Sequence, residues 1–486
     1  MSVLPDVMAE SLDYNNIKRR AMSSRSYRVR IAPSNKVSFS PGETVFLDLP
    51  SNLSGTFMDM TQTYIRMKVR YTNASAGVQS VCLDKPGAYG FLQRIACITS
   101  GQQVFDLNNY NVLVGALMDS DASNDWKANT GNVLCGTTAA CPHGETFEVA
   151  ANTYADRTYC LPFILNPFAL QKKLVPLFSL DSLRWRITLE TNSNAFIPYS
   201  SAVSVNAALT YAIQEIEMVS YFTELSPSAM AQLDSMTGGV YNLLCPSYSN
   251  TQSTMAAQAA SSTLTTVLGI AVSSLERIIV IHRPDAANVS VGSTLGARIS
   301  NNLQTAQFFI NSEAFPQRNI QLDDMAAEPL AEFLIADHAL SDFTRASNIQ
   351  NFNVSSGAAL AYNVFDGSLY NKYNRDENAA NNIGGAILPA NNAWNNAVGT
   401  GLVQGINNAD TLTTVGSFIL AIELETGCSA GRSDRLYSGI STISSVVQYK
   451  GTYGAGAIAA TLDFFAQFTV LLTLNMRQTG VWSITI

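Results

Sequence analysis

Three histidines in 486 residues, His143, His282 and His338, leave little material for the commonest acid–base and metal chemistry. None of them stands in HExxH or in another zinc-ligand spacing. Charged residues make up only 14% of the chain while apolar ones make up 47%, which argues against disorder and for extensive burial within and between subunits. No apolar run reaches the ~18 residues of a spanning helix. The seven cysteines, Cys82, Cys97, Cys135, Cys141, Cys160, Cys245 and Cys428, are odd in number, scattered and without a CxxC pair. They read as reduced, buried thiols rather than a disulfide framework. The opening MSVLPDVMAE has neither a basic n-region nor an apolar h-region, so no secretory signal is expected and synthesis in a reducing compartment follows. A GxSxG elbow, a Walker loop and a strand-borne GxGxxG are all absent.

What the chain does contain is alternation. From Leu183 to Glu190 the apolar Leu183, Trp185, Ile187 and Leu189 alternate with Arg184, Arg186, Thr188 and Glu190. A period of two with charged residues on the second set predicts an antiparallel strand with one buried and one wet face. Similar segments, bounded by Gly, Pro and Asn, run from KVSFSPGETVFLDLP through FLQRIACITSGQQVFDL to AALTYAIQEIEMVSYF, whose phase slips near Glu215 as at a bulge. Six to eight strands in under 200 residues predict a sandwich. NNYNVLVGALMDSD is expected to form a short helix within it.

Then SPSAMAQLDSM offers Ser226 as N-cap, Pro227 at the first helical position and Gly238-Gly239 as a stop, one short helix at a joint between domains. Strands resume beyond it. EPLAEFLIADHALSDF predicts a further amphipathic helix that includes His338. Between Asn371 and Asn408 lie eleven asparagines, a composition that cannot build a core and is expected in a surface loop. The last quarter repeats the order of motifs around 159–222, and AALTYAIQ is echoed by AATLDFFAQ. A repeat of that size means two copies of one sandwich. The predicted fold is therefore all-β: two tandem eight-stranded jelly rolls at 37–222 and 239–486, a linker helix within 223–238, and a few loop helices.

Charge is unevenly placed. IKRRAMSSRSYRVRIAPSNK carries Lys18, Arg19, Arg20, Arg25, Arg28, Arg30 and Lys36 and no acidic residue. Removing these seven from the 29 basic residues leaves 22 against 37 acidic ones, so a basic arm, residues 1–36, precedes an acidic body. Such an arm suits anionic partners or neighbouring subunits. Its alternative is a solvated terminus.

Candidates for chemistry are sparse. Cys135, Cys141 and His143 in CGTTAACPHGE supply three ligands, but a fourth is missing locally, and no metal is expected there. Asp323, Asp324 and Glu328 read as a solvated loop face. The tryptophans Trp126, Trp185, Trp394 and Trp482 are too dispersed for a sugar-stacking platform. No catalytic, metal or cofactor residues are assigned, and no enzyme is expected.

Three segments, YCLPFILNPFALQKKLVPLFSLDSLRWRITLE, ELSPSAMAQLDSMTGGVYNLLCPSYSN and EAFPQRNIQL with the helix after it, resemble double jelly-roll major capsid proteins of double-stranded DNA viruses. The resemblance is nearest to those of Polinton-like viruses and virophages and spans the order of elements from 37 to 486. It implies a structural protein whose homotrimers form pseudo-hexagonal capsomers of an icosahedral virion, synthesised in host cytoplasm or nucleus and without a cofactor. It further implies neighbouring capsomers and minor capsid or penton proteins as partners, and an inward arm that meets DNA, an inner membrane or minor proteins. Two other readings carry different expectations: a single jelly-roll capsid protein with long insertions, or a carbohydrate-binding β-sandwich.

Overall fold

The computed structural model describes residues 24–50, 53–99, 102–138, 143–171, 173–178, 182–199, 209–284, 295–296, 298–322, 327–340, 361–362, 412–413, 417–425, 439–475 and 482–485. The Asn-rich stretch 371–408 and Lys18, Arg19, Arg20, Cys141, Asp323, Asp324 and Trp394 lie outside them.

Eight strands build a first roll: Ser24–Ile31 (β1), Thr44–Leu49 (β2), Thr56–Asn73 (β3), Leu92–Thr99 (β4), Gln102–Leu107 (β5), Thr153–Pro162 (β6), Leu183–Leu189 (β7) and Leu209–Leu225 (β8). Eight more follow: Val240–Met255 (β9), Ser262–Leu268 (β10), Leu275–Pro284 (β11), Leu303–Ile310 (β12), Glu313–Gln321 (β13), Leu420–Glu423 (β14), Val447–Tyr453 (β15) and Ala460–Asn475 (β16). In the first roll the sheets run β1-β8-β3-β6 and β2-β7-β4-β5; in the second they run β9-β16-β11-β14 and β10-β15-β12-β13. The second order is the first with eight added to each number. All these pairs are antiparallel, so first and last strands of each roll lie side by side, the pairing that closes two Greek keys into a jelly roll. The echo between AALTYAIQ and AATLDFFAQ thus marks β8 and β16, which hold the same place in their rolls.

Strand β7 behaves as its alternation requires. Leu183, Trp185, Ile187 and Leu189 are buried while Arg184 is exposed. Trp185 packs edge-on against Phe163 at 4.7 Å and Phe168 at 6.1 Å between ring centroids. Its counterpart strand β15 buries Tyr449 against Phe308 and Phe464. Glu190, assigned by its phase to the wet face, is instead buried. It sits just past the strand, where Asn111 Nδ2 donates to it at 2.9 Å and the Thr191 backbone N–H does the same. The slip near Glu215 is a register shift between Ile213 and Glu215 in the β8–β3 ladder.

Four helices position the joint between the rolls and the polar clusters around it: Tyr110–Asp121 (α1), Asn124–Ala128 (α2), Pro227–Thr237 (α3) and Ala327–Ala336 (α4). Helix α1 buries every residue but Asp121, its apolar ones in the core and Asn111, Asp119 and Ser120 in polar contacts. Helix α3 joins the rolls as expected: the Ser226 hydroxyl accepts from the Ala229 N–H, Pro227 opens the helix, and Gly238 ends it at φ 65°. Helix α4 stops before His338, which the helical periodicity had included. His338 takes φ 52°, with its N–H donating to Ile335 O and that of Ala339 to Leu334 O, a left-handed C-terminal cap. No helix among the described residues is long and apolar enough to cross a membrane.

One boundary needs correction. Residues 24–31 do not belong to an arm outside the roll: β1 pairs with β8 along its full length, from Ser24 opposite Leu225 to Ile31 opposite Met218. Tyr27 and Val29 are half-buried and Ile31 is buried, while Arg28 and Arg30 face out. The dense basic residues conceal a strand pattern whose apolar members are the odd-numbered ones.

Candidate inter-roll joint and assembly surface

The described members of the basic set are built into the first roll's surface. Arg25 lies over the Tyr27 ring. Arg28 donates to the Tyr221 hydroxyl at 2.8 Å. Arg30 faces Glu217 at 3.7 Å, and Lys36 pairs with Glu43. Further across the same sheet, Arg66 meets Glu215 at 3.1 Å, and Arg70 grips Asp156 bidentately at 2.7 and 2.9 Å with Lys68 beside it. Arg70 and then Lys68 hold the Asp156 carboxyl down at about 2. Exposed pairs of this kind are screened by solvent and salt and add little to stability. The ladder therefore fixes a charged, ordered surface more than it holds the fold.

The rolls meet through buried charge. Asp119, near the end of α1, is surrounded by three cations: Lys85 at 3.2 Å, Lys127 of α2 at 3.2 Å, and Arg298 of the second roll, whose Nη2 donates to Asp119 Oδ2. Arg298 is fully buried. Burial alone would favour the protonated acid, but Lys85, Arg298 and Lys127 together hold the Asp119 carboxyl far below the usual carboxylate range. Burial in turn lowers the Lys85 ammonium to about 8, an effect that Asp119 opposes. Lys85 also donates to the Ser417 hydroxyl at 2.7 Å, and the Gly296 N–H donates to Asp84 at 3.0 Å. A second polar contact lies at Asp463 on β16, fully buried, which accepts from Arg283, from Gln252 and, across the joint, from Asn109 at 2.9 Å. Farther along, Lys173 donates to Asn242 O at 3.0 Å. None of these residues forms a local motif, so sequence reading had no signal for the joint.

The residues weighed for chemistry are dispersed. Cys135 ends a short helical turn with its thiol pushed up to about 12 by burial, as is that of Cys245, so both are weak nucleophiles. Its candidate co-ligand Cys141 lies outside the described residues. Glu328 Oε2 caps the Gln321 N–H at 3.1 Å. An open recess of about 700 Å³ beside α1 has a largely apolar lining that includes Val114, Leu117, Met118, Trp126 and Ile164.

His282, fully buried on β11, places Nε2 2.7 Å from the Tyr453 hydroxyl, and its Nδ1 has no hydrogen-bond partner among the described residues. Burial lowers this imidazole to about 3. The folded chain thus holds His282 neutral where the unfolded chain protonates it below about 6.5. Its contribution is complete above that pH and is lost as pH falls toward 3, by at most about 1.4 kcal/mol per unit. Glu423, which burial raises to about 7, has the opposite sign between its ordinary 4.5 and that value. The difference between variant and parent isolates the histidine. His282→Gln is expected to flatten the fall of melting temperature between pH 6.5 and 4, and an unchanged slope would refute the assignment.

Two complete rolls in one chain, each with the same strand order, define the double jelly-roll fold. The single-roll and lone-sandwich alternatives fall with that finding. The chain is similar to the solved structure of PBCV-1 VP54 fitted into a reconstruction of the virophage Sputnik, with a TM-score of 0.55 and 11% identity over 97% of this chain and 99% of that one. It is similar to the mavirus major capsid protein at TM-score 0.52 and 12% identity, over 99% and 96% of the two chains. The Faustovirus major capsid protein gives 0.52 and 11%, over 95% and 92%. No family model and no curated protein sequence matches the chain.

Proposed function

We propose that this chain is a major capsid protein of a double-stranded DNA virus or virophage, three copies forming a pseudo-hexagonal capsomer that tiles an icosahedral shell. The observation that carries this reading is the doubled strand order, complete in one chain, supported by a fold similarity to the mavirus and Faustovirus major capsid proteins that runs nearly end to end. The role is structural, not catalytic, and its place is the virion. Self-association has a physical basis in the surface. Leu244 and Leu471, cross-strand partners on β9 and β16, are 46% and 36% exposed, and Met236 of α3 is 79% exposed. Apolar side chains so placed gain by burial against a neighbour.

The basic start carries the same logic inward. Lys18, Arg19 and Arg20 would face anionic surface inside the shell, on DNA, an inner membrane or a minor protein, through contacts that weaken with salt. Minor capsid or penton proteins would complete the vertices. Light scattering on the purified protein is expected to give three times the 52.4 kDa chain mass, and negative-stain images to show triangular or hexagonal particles. A stable monomer at micromolar concentration would overturn the trimer.

A further inference from the structure

Spacing along the chain gives no reason to expect a metal, because it reveals only ligands that lie close together in sequence. The fold assembles a different set. His338 at the left-handed cap of α4, Glu423 at the end of β14 and Glu425 two residues on place one ligand atom each within 4.8 Å of one another. His338 Nε2 is 3.5 Å from Glu423 Oε2 and 3.8 Å from Glu425 Oε2. Both carboxylate side chains are nine-tenths buried. Glu423 Oε1 accepts the Glu425 N–H at 2.9 Å, whereas Oε2, aimed at the imidazole, has no hydrogen-bond partner among the described residues.

A direct imidazolium–carboxylate bond would bring nitrogen and oxygen to about 2.7–3.2 Å. Separations of 3.5 and 3.8 Å are instead close to the edges of a coordination polyhedron whose metal–ligand distances are about 2.0–2.2 Å. The neighbouring guanidinium favours the Glu423 carboxylate through space but donates no hydrogen bond to it among the described residues. Arg277, opposite Glu423 on β11, directs its donors to Gln467, Ala336, Asp337 and Tyr248. Glu423, nine-tenths buried with one oxygen that accepts no hydrogen bond among the described residues, is the group that a cation at this point would stabilise in its ionised form.

We propose that His338, Glu423 and Glu425 bind one divalent first-row cation, with Zn²⁺ the best match to one imidazole and two carboxylates. The site needs no assembly partner and stands independently of the capsid reading. In sequence, His338 precedes and Glu423 follows the span that contains the Asn-rich stretch 371–408. The cation would therefore tie α4 to the edge strand β14 across a long separation in sequence, where cross-links gain most in the polymer picture.

The test uses the full-length, tag-free protein stripped with EDTA and then dialysed against ZnCl2, CaCl2 or MgCl2. One tightly retained Zn²⁺ per chain is expected, with a melting temperature several degrees above the stripped protein and no comparable response to Ca²⁺ or Mg²⁺. His338→Asn tolerates the left-handed backbone, and Glu423→Gln keeps the side-chain shape. Each should lose the retained zinc and the thermal shift while melting, when metal-free, within a few degrees of the stripped parent. Zinc retained equally by either variant, no stoichiometric zinc on the parent, or a response to Ca²⁺ alone would overturn the proposal. Should Glu423→Gln fail to fold, His338→Asn still decides it.

Discussion

Replacing Asp119 by Asn is expected to destabilise the protein by about 3–5 kcal/mol, the cost of leaving buried charge without its counter-ion. The reason lies in the joint: Lys85, Lys127 and Arg298 converge on this one carboxylate, and Arg298 has no exposure to solvent. Asn keeps the shape and removes the charge that neutralises three cations. Arg298→Met should cost less, because Asp119 retains Lys85 and Lys127 while an apolar side chain occupies the buried site. Urea unfolding at pH 7 reads both. If the Asp119→Asn midpoint corresponds to a loss under about 1 kcal/mol, or if Arg298→Met is the worse of the two, Asp119 is not the centre of the joint.

Two truncations are expected to behave differently. Removing residues 1–23 takes away Lys18, Arg19 and Arg20 but leaves β1, so melting should match the full-length protein while, on the proposed capsid role, shell assembly falls in moderate salt. Removing residues 1–36 also removes β1 and with it Tyr27, Val29 and Ile31. Their burial is worth about 3–5 kcal/mol together, and their loss exposes the β8 edge to other chains. That variant should melt several degrees lower and aggregate. Equal melting of the longer truncation and the parent would show that β1 adds nothing to the roll. Full assembly by the shorter one in moderate salt would return Lys18, Arg19 and Arg20 to the status of a solvated terminus.

The contrast between these truncations shows where sequence was legible. Strand β7 declared itself because one face is uniformly apolar, and α3 because Ser226, Pro227 and Gly238 each have a local steric or hydrogen-bonding reason to be where they are. The tandem arrangement was readable from the echo of β8 in β16. Strand β1 was not, since Arg25, Arg28 and Arg30 outweighed Tyr27, Val29 and Ile31 in a reading led by charge. Periodicity carried His338 into α4 because a left-handed cap leaves no trace in hydrophobic spacing when the residue is not glycine. Glu190 failed for a related reason: its partner Asn111 comes from another element. The joint at Asp119 and the cluster at His338 depend on residues brought together only by the closed rolls, and no window along the chain contains them.

The pairing of first with last strand in each roll has a consequence for synthesis. Ser26 reaches Thr223 across 197 positions, so β1 has no ladder partner until β8 has left the ribosome, and β9 likewise waits for β16. Contacts of such long range close slowly. Through that interval β1, and later β9, stands unpaired on the nascent chain. Open edges of that kind invite association between chains before each roll has closed. Slowing elongation once residue 225 has cleared the ribosome would give the first roll time to close before the second has emerged.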